Sequence, residues 1–237
     1  MSEENEDTLN FLISAGNTFY QSVKYERAIK FYEQAIELAP EHVVAWFNKG
    51  SAFLHLKKYQ GAITCFEKTL YFDPHYALAW NGKGAALLEL KKFDEAIQSF
   101  DEALAISPDL VIALHNKGVA LLTLEKYEEA INCFNLALEK EPVNWISWNN
   151  KGVAFYNLKK YQEALECFEQ SLTIHPFYIK ALNNKGYILM HFKRYEEALG
   201  CFDKILEIDP ANESAKFCQE NIIREIKVTV SKVLDIE

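Results

Sequence analysis

Apolar residues return along this chain with the three- and four-residue spacing of helix faces, interrupted at regular intervals by short polar turns. The stretch "WNNKGVAFYNLKKYQEALECF", residues 148–168, shows the unit. Trp148, Lys151, Gly152 and Phe155 spread over one side of a first helix. Ile146, Asn149, Asn150, Val153, Tyr156 and Asn157 fall on the other. The turn Leu158-Lys159-Lys160-Tyr161 follows, and then a second helix carrying Ala164 and Phe168. The pattern predicts a helix–turn–helix hairpin with no strand.

The hairpin recurs. All six prolines (Pro40, Pro74, Pro108, Pro142, Pro176, Pro210) are 34 residues apart, and so are Gly16, Gly50, Gly84, Gly118, Gly152 and Gly186. Ala28, Ala62, Ala96, Ala130, Ala164 and Ala198 keep the same interval. Three residue types in one register define units at 9–42, 43–76, 77–110, 111–144, 145–178 and 179–212, each with helices at positions 1–14 and about 18–30. Gly at position 8 and Ala at position 20 permit close approach of the paired helices. Pro at position 32 cannot continue the second helix and marks the link to the next unit. One hairpin cannot bury its apolar face alone, so the units are expected to stack.

Within each unit, position 4 is Trp or Leu (Leu12, Trp46, Trp80, Leu114, Trp148, Leu182). Position 8 is Gly, 11 Phe or Leu, 17 Tyr or Phe, 20 Ala, 24 Phe or Tyr, and 32 Pro. These residues resemble the tetratricopeptide repeat over residues 9–212. The N-K-G form of the units is similar to that common in archaeal, especially methanogen, members. One departure is systematic: position 7, usually Leu in the family, is Lys49, Lys83, Lys117, Lys151 and Lys185. The resemblance implies an all-α solenoid, a right-handed superhelix of helix-turn-helix repeats with the first helices lining the concave side.

Residues 1–8 read as an acidic tail, and 213–237 as a capping helix and tail. In the cap, Ala215, Cys218, Ile222 and Ile226 share one face. The final "VTVSKVLDIE" is compatible with either a longer helix or an extended tail.

The family's groove face gathers a run of amides. Position 6 supplies Asn48, Asn116, Asn150 and Asn184, while position 5 supplies Asn81, Asn149 and Asn183, with His115 in the fourth repeat. Asn inside a helix costs about 0.5–0.7 kcal/mol relative to Ala, so the run wants a reason. An amide donates and accepts, and could hold the main chain of an extended peptide, as similar ladders do in related repeats. Alternatively it could bond locally between neighbouring repeats. Beside the amides runs an apolar stripe of Val44, Leu78, Ile112 and Ile146 at position 2 and Val119, Val153 and Tyr187 at position 9, with Tyr156 at position 12. Exposed contiguous apolar groups of this kind mark interaction surfaces.

The groove does not fit the carboxylate clamp of repeats that grip acidic chaperone tails. Asn17 and Asn48 match that pattern, but Ile13, Leu78 and Gly82 stand where it needs cations. The position-7 lysines lie on the flank of the packed side. An unpaired buried ammonium is prohibitive, so each stem is expected to pack and each head to reach a carboxylate or helix C-terminal carbonyls. Cys65, Cys133, Cys167 and Cys201, all at position 23, are at least one repeat apart. That spacing, about 10 Å, is too long for a shared zinc ion or a disulfide, so they read as small buried residues. His55, His115 and His191 fall in different repeats and supply groove polarity rather than a shared ligand site.

Net charge is −9 with Lys+Arg 25 against Asp+Glu 34, which excludes nucleic acid as a general partner and disfavours anionic membranes. No leader pattern and no long apolar run occurs, and the five cysteines form no CxxC pair; a reduced, cytoplasmic chain is expected. No catalytic set, cofactor loop or metal cluster is legible. The expectation is a non-enzymatic scaffold without cofactors that takes a partly apolar, extended or helical peptide segment of a partner protein in its groove. A self-assembling scaffold, a homo-oligomer whose groove takes a neighbour's terminus, is the second reading.

Overall fold

The computed structural model describes residues 3–234, with side chains from 4 to 228. Among the described residues every regular element is a helix, and the chain divides into two compact units, Met1–Lys126 and Tyr127–Glu237. The first unit holds α1 (Glu3–Gln21), α2 (Tyr25–Leu38), α3 (Val43–His55), α4 (Tyr59–Phe72), α5 (Ala77–Glu89), α6 (Phe93–Ile106) and α7 (Val111–Thr123). The second holds α8 (Tyr127–Lys140), α9 (Trp145–Asn157), α10 (Tyr161–Ile174), α11 (Ile179–His191), α12 (Tyr195–Ile208) and α13 (Glu213–Leu234). Within each unit consecutive helices pack against one another, and first helices of successive repeats also touch, α1 with α3, α3 with α5, α5 with α7, and α9 with α11. This is an all-α helical-repeat solenoid.

The repeated glycine makes the hairpin possible. A Cβ on Gly84 would lie 2.6 Å from Cε1 of Phe100, and one on Gly152 would lie 2.6 Å from Cε1 of Phe168. The aromatic at position 24 therefore lies flat in the notch that a missing side chain leaves in the first helix. Ala at position 20 is fully buried in all six repeats, and so is the small residue at position 3 of repeats 2–6 (Ala45, Ala79, Ala113, Ser147, Ala181), which also recurs as Ala215 in α13.

Each hairpin turn closes in one way. Position 15 (Val23, Lys57, Lys91, Glu125, Lys159, Lys193) takes φ between 57 and 60, in the left-handed region. The next amide then reaches back five residues, as Lys58 N–H does to the Phe53 carbonyl (2.9 Å) and Lys160 N–H to the Phe155 carbonyl (2.9 Å). Between repeats, the indole N–H of Trp46, Trp80 and Trp148 donates to the carbonyl of Pro40, Pro74 and Pro142 at 2.8, 3.0 and 2.9 Å. Side chains of Asn144 and Asn212 cap the following helices by accepting from the amides of Ser147 and Ala215.

Two terminal features differ from or extend the sequence reading. Residues 3–8, expected as an acidic tail, are the first turns of α1, where Glu4, Glu6 and Asp7 favour the positive end of the helix dipole and Leu9 buries its side chain. At the other end α13 covers the last repeat with Ala215, Cys218 and Ile222 buried and Ile226 half-buried. Its backbone stays helical to Leu234, so the stretch from Val228 extends the helix; residues 235–237 lie outside the described ones.

Candidate functional site

The amides expected on the groove face are largely bonded to one another. In the first unit Nδ2 of Asn116 donates to Oδ1 of Asn81 at 3.1 Å, and in the second Nδ2 of Asn184 donates to Oδ1 of Asn149 at 3.0 Å. Asn149 in turn donates to Oδ1 of Asn150, 3.2 Å away. In both inter-repeat pairs a position-6 amide reaches the position-5 amide of the preceding repeat. Asn81 and Asn149 are only 7% and 3% exposed, and each accepts a side-chain hydrogen bond from the next first helix. Asn183 sits at the same place in the last repeat, but α13 offers Cys218 where an Asn would follow. Its Oδ1 is consequently buried with no hydrogen-bond partner. Asn48 has no amide at position 5 before it (Ile13) and turns instead to Oδ1 of Asn17 at 3.0 Å.

Open surface remains at the edges of these amide pairs. In the second unit Val153, Tyr156, Asn157, Phe168, Asn184 and Tyr187 line a recess of about 250 Å³ between α9 and α11. Tyr156 and Tyr187 are exposed, Val153 is half-buried, and Phe168 forms the floor. Asn157 folds its Nδ2 back onto the Val153 carbonyl (2.8 Å), which leaves the Asn184 amide as the polar edge. No ionic side chain lines this recess.

The first unit has an equivalent recess of about 520 Å³ in which Asn17, Tyr20, Tyr32 and Gln21 face Phe47 and Asn48. It is more polar. Asn17 Oδ1 accepts from both the Tyr32 hydroxyl (2.9 Å) and Asn48 Nδ2 (3.0 Å). Burial, assisted by the neighbouring Tyr20, pushes the Tyr32 phenol up to about 12, so it stays a neutral donor. Asn17 Nδ2 has no hydrogen-bond partner among the described residues, which makes it a donor this recess can offer. The sequence reading did not place Tyr20, Tyr32 or Phe168 at the site. Their signal was available, since positions 12 and 24 recur in both recesses.

Elsewhere in the first unit His115, Asn116 and Val119 are half-buried on α7, while Leu78 and Ile112 stand exposed at position 2. His115 is desolvated, which holds its imidazole below the ordinary value. The other two groove histidines pack on aromatic rings: His55 stacks on Tyr25 at 4.8 Å, and His191 packs against Tyr161 at 4.4 Å. The five cysteines are buried thiols, and burial pushes Cys65 and Cys167 up to about 11, so neither is an activated nucleophile. Among the described residues no group of His, Cys, Asp and Glu could hold a metal ion, and no helix is long and apolar enough to cross a membrane.

Models of the tetratricopeptide repeat family match residues 13–77, 75–140, 145–178 and 179–212. No curated protein matches the sequence. Among solved structures, the chain is similar to PilF of Pseudomonas aeruginosa, at 18% identity and a TM-score of 0.80 over 94% of this chain and 100% of that one. It is similar to YrrB, described as a TPR protein with an unusual peptide-binding site, at 23% identity and a TM-score of 0.65 over 80% and 97%. A crystal structure of the APC/C hetero-tetramer Cut9–Hcn1 aligns at 19% identity and a TM-score of 0.77 over 89% of this chain, which spans only 42% of that one. At these identities the likeness carries the fold alone.

Proposed function

The chain belongs to the tetratricopeptide repeat family, and we propose on that footing that it is a non-enzymatic scaffold binding a peptide segment of a partner protein on the groove face of its first helices. The observation that carries this reading is the recess of the second unit. Its walls are Val153, Tyr156, Phe168 and Tyr187, its polar edge is Asn184, and it bears no ionic side chain. A site of that composition accepts an aliphatic or aromatic side chain, and the unpaired Asn184 Oδ1 can accept one backbone N–H of an extended or helical segment. The recess of the first unit adds the Asn17 donor for a backbone carbonyl. Both recesses are walled by amides, phenols and apolar groups, with the Ser51 hydroxyl added in the first unit, and no ionic side chain lines either. YrrB's described peptide-binding site supports the same class of ligand. The buried thiols suit a reducing, cytoplasmic setting.

The test uses peptides selected by display against the full chain. Selected peptides are expected to share an aliphatic or aromatic anchor and to lose about tenfold in affinity when Tyr156 and Tyr187 are both changed to Ala, with the helical circular dichroism signal retained. Affinities that ignore this double substitution would overturn the reading.

A further inference from the structure

The flank opposite the groove carries a repeated ion pair. Each position-7 lysine that is paired reaches the carboxylate at position 25 of the preceding repeat: Lys49 to Glu33 (2.9 Å), Lys83 to Glu67 (2.9 Å), Lys117 to Asp101 (2.6 Å) and Lys185 to Glu169 (2.9 Å). These lysines are largely buried along their stems, with side-chain exposures of 16–24%.

At the junction of α8 and α9 the pattern breaks. Position 25 is Asn135, and Lys151 makes no ion pair among the described residues. Its Nζ lies instead 4.8 Å from the ring centroid of Trp148 and 5.9 Å from that of Phe155. Aromatic faces attract a cation but supply no carboxylate, and the Lys151 side chain is half-buried.

A second departure adjoins the first. Position 26 is polar in every other repeat (Gln34, Lys68, Glu102, Gln170, Lys204), but here it is Leu136, 48% exposed. Val143, in the turn between α8 and α9, is 70% exposed. This one helix junction thus has an amide where the others have a carboxylate, and exposed apolar surface beside it.

We propose that the α8–α9 junction is a second docking surface, separate from the groove, for a segment of a partner protein that places a carboxylate on Lys151 and an apolar side chain on Leu136. The occupant follows from charge complementarity: the ammonium lacks the carboxylate that its counterparts have, and the partner supplies it. Glu128, Glu129 and Glu139 are exposed on α8, and they repel a polyanion such as nucleic acid or an acidic lipid surface. A single carboxylate beside an apolar group satisfies the site.

The test is fluorescence anisotropy of the full chain with labelled synthetic peptides, each carrying one Glu and one Leu at varied spacing in a Gly/Ser background. Counterparts replace Glu by Gln or Leu by Ser. At least one peptide is expected to bind about tenfold tighter than both of its counterparts. Asn135→Glu, which restores the residue type of the other repeats and gives Lys151 an internal partner, should abolish that advantage, as should Leu136→Lys. Tyr187→Ala should leave it intact. Peptides no tighter than their counterparts, an Asn135→Glu variant that binds unchanged, or a loss on Tyr187→Ala would each overturn the proposal; the last would assign the peptide to the groove.

Discussion

Asn184 and Asn149, one on each of two successive first helices, join side chain to side chain across 3.0 Å. The donor is half-buried and the acceptor 3% exposed, so the bond is sheltered from water on one side only. The pair Asn116 and Asn81 repeats the arrangement in the other unit. The amide run thus forms side-chain bonds between successive first helices in both units.

Removing a buried amide leaves its partner short of one bond. Asn149→Ala should destabilise the chain by about 1–3 kcal/mol, measured by urea denaturation, and Asn184→Ala by less because water reaches that residue. A double-mutant cycle should return a coupling of at least about 0.5 kcal/mol. Additive losses would show that the two amides do not act as a pair.

The glycine notch is the least forgiving position in the hairpin. Gly84→Ala places a methyl 2.6 Å from Cε1 of the fully buried Phe100 ring, so the ring or a helix must shift. The expected loss is about 1–3 kcal/mol in denaturant unfolding. Phe100→Leu, tested together with Gly84→Ala, should recover part of the loss relative to the two changes summed. A Gly84→Ala chain as stable as wild type would mean that the hairpin opens freely at this contact.

Val23 tells the opposite story. It is β-branched, exposed, and held at φ 60, where L-residues lose about 1–2 kcal/mol. Val23→Gly relieves that strain but adds freedom to the unfolded chain, so the net gain should be about 0.5–1 kcal/mol, read as a raised melting temperature. A lowered melting temperature would refute the strain.

Much of the fold was legible because period fixes geometry. Prolines, glycines and alanines at one interval locate every hairpin, and position 3 is small and buried in repeats 2–6, while in repeat 1 it is the exposed Phe11. Contacts between repeats were harder to see. Lys83 pairs with Glu67, sixteen residues earlier on the preceding second helix, so only a search across units finds it; the reading of lysine heads reaching for carboxylates named the chemistry without the partner. The amides could be placed on a face, yet whether they look into the groove or at each other depends on how closely the first helices approach. The helical start at residue 3 was missed because an acidic stretch reads equally well as tail or helix N-terminus.

His115 stands where neighbouring repeats carry the amides Asn81 and Asn149, and that difference gives the chain a pH-dependent term. Desolvation holds its imidazole below the ordinary 6.5, so the folded chain binds this proton less readily than the unfolded chain does. The contribution to stability is therefore complete above about pH 6.5 and shrinks as pH falls through that value toward the folded one. His115→Asn keeps a polar group of the kind the other repeats use and removes the titration. Urea midpoints at about pH 7.5 and 5.5 should fall further for the wild type than for the variant, while the remaining histidines contribute equally to both. If the two chains lose the same stability on acidification, His115 is not held neutral by burial, and α7 must be open enough at that position for water to solvate the charged ring.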